Sequence, residues 1–192
     1  SFKNKIIDTK NLSSIASDVS DDVYNLTPKV QNELVVREKV STMAVAASHS
    51  LIFRILNNAA EKNLGMEGYP AEYGIYLSII KANKLHKLSK GEFKFVEPSK
   101  SNKELSALHN EFNKHIKSKE EPTSLNELYD LFSKQPYGIK KGLIPILLAS
   151  FYMTNEGSFA LYNTDEQGKE FLITDYNKRI CERFISTPET LK

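Results

Sequence analysis

The chain has 192 residues, 26 Lys and Arg against 24 Asp and Glu for a formal charge of +2, and 40% hydrophobic and 26% charged residues. That balance excludes a disordered, fibrous or disulfide-framed chain, and the length is enough to bury one core without a staple. So small a charge does not mark a nucleic-acid-binding protein, and any such surface has to be local.

The sequence opens at Ser1 without Met and without a charged-then-apolar leader, so it is expected to begin inside a longer protein. The single Cys181 cannot form an internal disulfide, and a reducing, cytoplasmic setting is expected. No run approaches the roughly 20 apolar residues that span a bilayer. The longest candidate, 142–153, is short and contains Pro145, so no membrane partner is expected.

Residues 1–29 read as an irregular N-terminal segment, with Thr27 biased away from helix by Pro28. From Val30 to about Lys62 the near absence of Gly and Pro predicts one long helix. Leu34, Val40, Ala44, Ala47, Leu51, Ile55 and Ala59 recur at three- to four-residue spacing along it. Gly65, Gly68 and Pro70 end that helix in a turn, and a second begins near Ala71 with Tyr73, Tyr76, Leu77, Ile80 and Leu85 as its apolar stripe. Phe93 and Phe95 alternate with Lys94 in a short strand pattern.

Leu105, Leu108, Phe112 and Ile116 mark the next helix, and a charged linker runs from Lys117 to Pro122. Ser124 with Glu127 three residues on is a capping box for a helix carrying Leu125, Leu128, Leu131 and Phe132. Residues 142–153 form an apolar, central helix in which Pro145 is tolerable only in the first turn. Strand candidates at 159–162 and 171–173 flank a polar turn containing Gly168, and a last helix spans about 175–185.

Setting Gly74 against Gly142 aligns two helices without a gap. With two residues of loop difference, Phe93-Lys94-Phe95 falls on Phe159-Ala160-Leu161. Helices followed by a strand or hairpin are the plan of a winged helix, which the second copy fits more fully. Two similar helix–strand units arising from composition alone is the competing reading. The fold class expected is mainly α with short β-hairpins: an irregular 1–29, a long helix plus first helix–strand unit over 30–116, and a second winged-helix-like unit over 117–192, together one compact fragment of a larger protein.

Little chemistry is legible. His49, His86, His109 and His115 have no metal-ligand spacing, Cys181 sits among apolar residues, and no phosphate loop or nucleophile elbow is present, so no catalytic residue, metal or cofactor is assigned. Glu67, Glu72 and Tyr73 near the Gly-rich turn are the only candidates for an unfamiliar enzyme. The one local charge bias runs from Lys81 to Lys103, where Lys81, Lys84, Lys87, Lys90, Lys94, Lys100 and Lys103 face only Glu92 and Glu97. Lys81, Lys84, Lys87, Lys90 and Lys94 are the candidate phosphate contacts, with a solvated lysine-rich face as the plainer reading.

Three stretches carry a family resemblance. They are Thr27-Pro28 with Asn32, Glu33, Leu34 and Arg37; Leu64 to Pro70 with Glu72, Ile75 and Tyr76; and Pro136 to Ile139 with 142–148. Together they resemble a segment of large bacterial P-loop ATPase-like proteins, some associated with phage defence, BREX-type systems among them. The resemblance covers most of the chain from Thr27 to about Ile185, but its motifs are turns and core helices. It implies an accessory module outside the nucleotide-binding domain, whose partners are other domains of the parent, proteins or DNA. On it Asn32, Glu33, Arg37, Gly68, Pro70, Glu72, Tyr137, Gly138 and Gly142 are structural positions. A purely protein-binding helical scaffold is the alternative.

Overall fold

The computed structural model describes residues 12–30, 32 and 39–192. It is mainly helical with two small antiparallel hairpins, the class expected. In chain order come α1 (Leu12–Val23), α2 (Thr42–Asn57), α3 (Ala71–Ile75) continuing into a wider π-turn (Tyr76–Lys81), β1 (His86–Ser89) and β2 (Glu92–Phe95). Then follow α4 (Lys103–Lys117), α5 (Leu125–Ser133), α6 (Ile144–Thr154), β3 (Tyr162–Thr164), β4 (Glu170–Leu172) and α7 (Lys178–Ser186).

Helix α6 is the centre. Ile144, Pro145, Ile146, Leu147, Leu148, Ala149, Ser150, Phe151 and Met153 are all buried, because α2, α5, α7 and β2 cover it from different sides. Pro145 sits in its first turn, where its missing N–H has no intrahelical partner to lose. The only buried hydroxyl on the helix, that of Ser150, donates to the Ile146 carbonyl at 2.7 Å. Helix α5 starts at the capping box read from sequence: the Glu127 N–H donates to Ser124 Oγ, and the Ser124 N–H to Glu127 Oε1.

The expected irregular 1–29 is partly helical, since α1 occupies 12–23. Ile15 is its one buried residue, so the apolar periodicity is too thin to announce a helix. The long helix from Val30 is also corrected. Ser41 is extended and its Oγ accepts from the Ala44 N–H, so α2 begins at Thr42, and Asn58 ends it ahead of a turn at Lys62–Gly65. A serine inside a permissive stretch is a start signal as well as a filler.

Leu85 is not helical. Its N–H bonds to Ile80 as the π-turn closes, and the chain enters β1, a strand absent from the sequence reading. The hairpin turn Lys90-Gly91 takes positive φ at both residues (55° and 92°), the geometry that matches the twist of the flanking strands. Because Lys occupies the first of these positions in place of Asn or Asp, the turn is hard to see in sequence.

The aligned repeat holds for helix-then-hairpin order but not for strand register. Phe93 to Phe95 form the second strand of their hairpin, whereas 159–161 precede the first strand of theirs. Helix α4 packs on α6 through Phe112 against Phe151 (5.8 Å between ring centroids) and through His109, and one continuous core runs from Ala47 to Leu191.

Candidate functional site

The first hairpin is anchored by one histidine. His86 is 4% exposed, and its Nε2 lies 2.8 Å from the Ala59 carbonyl, which can only accept; Nε2 therefore carries the proton. Nδ1 is then an acceptor, and the Tyr76 hydroxyl, 3.0 Å away, donates to it. Burial pushes the Tyr76 hydroxyl up to about 12 and the His86 pKa below its ordinary 6.5, so both stay in the forms this chain of bonds requires. Phe93 and Phe95 pack on the same ring, at 5.6 and 5.0 Å between centroids. The π-turn, the end of α2 and the hairpin are thus joined at one side chain.

Strand alternation then decides what faces outward. His86 pairs with Phe95 against the core, and Leu88 with Phe93 on the same side toward the turn, where Leu88 is exposed; Lys87 stands directly opposite Lys94 on the other side, with Ser89 opposite Glu92 beyond them. Lys84 and Lys90 occupy turns with φ of 55° at either end of β1, and Lys81 closes the π-turn, 3.4 Å from Asn63 Oδ1. All five lysines are exposed. Among the described residues Lys84, Lys87, Lys90 and Lys94 form no ion pair. Like charges directly opposite on a hairpin repel, so this face carries an excess of positive charge that Glu92 offsets only in part.

The two hairpins differ in charge. Hairpin β1–β2 with its approach carries Lys81, Lys84, Lys87, Lys90 and Lys94 against Glu92, whereas β3–β4 carries Asp165, Glu166 and Glu170 against Lys169. Helix α6, which precedes the second hairpin, is covered on every side and cannot enter a groove. In the first unit the solvent side of α3 and its continuation offers Ala71, Gly74 and Leu77 with only Lys81 as a base. The basic surface is therefore the hairpin itself, and in the first copy, not the second.

The remaining positions are structural. Glu72 is buried and pairs with Arg54 Nε at 3.0 Å, joining α3 to α2, so its carboxylate is engaged; Glu67 is exposed in the turn, and Tyr73 stacks on Tyr76. Gly68 has φ of 66°, and Pro70 precedes α3 as its cap residue. Tyr137 and Gly138 receive the N-terminal segment: the Leu26 N–H donates to the Pro136 carbonyl, Thr27 Oγ1 bonds the Tyr137 carbonyl, and a Cβ on Gly138 would lie 2.5 Å from the Tyr24 ring. Gly142 lies in the turn before α6. Asn32 Nδ2 donates to Ser78 Oγ at 2.7 Å, tying its segment to the π-turn; Glu33 and Arg37 lie outside the described residues.

Burial lowers the pKa of His109 and His49 as well. The Thr154 hydroxyl donates to the Phe151 carbonyl, so His109 Nε2 donates to Thr154 Oγ1 at 2.8 Å, locking α4 to α6. Cys181 is buried, bonded to the Tyr176 carbonyl and pushed up to about 12, a thiol with no thiolate character at neutral pH. No cluster of three or more metal-ligating side chains occurs among the described residues, and none of their helices is long and apolar enough to cross a membrane. No family model, curated protein or solved structure matches the chain.

Proposed function

We propose that this chain is a non-catalytic, winged-helix-like interaction module that contacts the phosphate backbone of DNA through its first hairpin. The observation that carries the reading is the outward pair Lys87 and Lys94, held face to face by the His86 anchor and flanked by Lys84 and Lys90. Repulsion within such a pair is relieved when an anion lies across it, and a duplex presents phosphates in a regular row. With no arginine on the hairpin and α6 covered on every side, the contact positions DNA without reading its sequence.

The resemblance to accessory segments of bacterial P-loop ATPase-like proteins suits this role: the catalytic domain of such a parent would act on DNA that the hairpin helps to hold. Other domains of that parent are then its permanent partners, in the cytoplasm. The test is binding of a short duplex at low salt. Affinity should fall on a log–log salt plot with a slope of about −3 to −4 for four phosphates contacted, and neutralising Lys84, Lys87, Lys90 and Lys94 together should abolish it. Absence of binding at low salt would sink the proposal.

A protein-binding scaffold is the second reading, favoured by Leu88 at 60% exposed and by Phe171 and Leu172 on β4, which leave apolar area on both hairpins. It predicts partner capture that salt does not weaken and that Leu88→Ser removes.

A further inference from the structure

Tyr69 is the most exposed large hydrophobic side chain among the described residues, at 92%, and a firmly held turn presents it. Leu64 and Met66, just before it, are buried. Arg54 on α2 grips the segment on both sides of Tyr69: its Nη1 donates to the Leu64 carbonyl at 3.5 Å and its Nε to Glu72 Oε1 at 3.0 Å. Leu64 takes φ of 55°, a left-handed conformation that a large side chain rarely adopts, and such strain collects where a segment has to present a group to a ligand.

The exposed ring is also continuous with the hairpin anchor. Tyr69 meets Tyr73 edge to face at 5.8 Å between centroids, Tyr73 stacks on Tyr76 at 6.0 Å, and Tyr76 bonds His86, beside which Lys87 turns outward. With so little of its surface covered, Tyr69 keeps an open aromatic face. The turn around it adds no positive charge, since Glu61 and Glu67 outnumber Lys62. It therefore offers a flat surface for stacking, while the lysines that contact phosphate lie on the hairpin to which it is braced.

We infer that Tyr69 stacks a base of a single strand running on from the duplex held by the first hairpin, an inference that rests on the phosphate-contacting reading above. A base inside a duplex is stacked on both faces, so the partner of an open ring is an unpaired base. Ring contacts of 5.8, 6.0 and 6.0 Å lead from Tyr69 to His86. A tail of about eight nucleotides covers that span at a rise of about 3.4 Å each. Every base has a π-face, so this contact adds affinity without reading sequence, as the lysine contacts do.

The test uses the full chain and fluorescence anisotropy with a blunt duplex, the same duplex carrying a mixed-sequence tail of that length, and the same duplex with an abasic tail, which keeps the phosphates and removes the bases. The base tail should bind more tightly than the abasic one by about fivefold or more. Tyr69→Ala should bring the two tails to equal affinity while leaving blunt-duplex binding and the melting temperature unchanged, and Tyr69→Phe should keep the difference. Lys87→Gln with Lys94→Gln should weaken all the ligands alike. The chain has no Trp, so Tyr69→Trp supplies a single indole whose emission the base tail should quench and the abasic tail should not. Equal affinity for the two tails in the wild type, or a preference that Tyr69→Ala leaves intact, would overturn the stacking assignment while blunt-duplex binding keeps the hairpin reading standing. Absence of binding to every ligand would overturn both.

Discussion

The two hairpins share a plan and differ in everything that makes a plan useful. Each follows a helix of the shared core and pairs antiparallel over three or four residues. The first is pinned through His86 and Phe95, both buried, and turns its lysines outward. In the second, all three β4 residues are exposed; its hold on the domain comes from the chain end, where Tyr162 and Lys192 exchange backbone hydrogen bonds at 2.7 and 2.9 Å, and its charge is acidic. The same topology thus yields one basic platform anchored in the core and one exposed acidic flap, and burial of alternate side chains is what separates them.

The contrast breaks most visibly at the anchor. His86→Ala strands the Tyr76 hydroxyl and empties the space between Phe93 and Phe95, so it should cost about 2–4 kcal/mol in urea unfolding. Phe171→Ala on the flap should stay within about 0.5 kcal/mol. Reversing the platform's charge with Lys87→Glu and Lys94→Glu together should weaken duplex binding tenfold or more at low salt, in a fluorescence anisotropy titration.

Acid should loosen the platform. Burial holds His86 below its ordinary 6.5, so the unfolded chain takes up the proton more readily than the folded one. The stability this supplies is fully present above about pH 6.5 and is lost as pH falls from there toward the folded-state pKa. His49 and His109 shift in the same direction, so the platform's own share is read by amide exchange. Exchange in 86–95 should accelerate between pH 7 and pH 5 more than in 162–172. The smallest effect is Lys94→Glu alone: an opposite-charge pair with Lys87 should add about 0.2–1 kcal/mol of stability while reducing DNA affinity.

Helices were legible where the pattern was dense. The apolar run around Pro145, the capping box at Ser124 and the spacing from Leu105 to Ile116 all specify their elements locally, and each appears within a residue or two of where it is read. Helix α1 buries only Ile15 and so leaves no stripe to count. Strand β1 was hidden because its single deeply buried side chain is a histidine and its turn uses Lys90 at positive φ, neither of which resembles a strand signal. The lysine run was visible in sequence, but the opposition of Lys87 and Lys94 is a matter of register, and register was fixed only by the burial of His86 and Phe95.

The central claim is that the first hairpin, and not the second, carries the phosphate-contacting charge. The most direct measurement is the salt dependence of duplex binding for the wild type, Lys87→Gln/Lys94→Gln and the matched flap variant Lys169→Gln. Removing two phosphate contacts should reduce the magnitude of the log–log slope by about 2, and Lys169→Gln should leave it unchanged. Equal slopes in all three proteins, or a larger change from Lys169→Gln, would contradict the account.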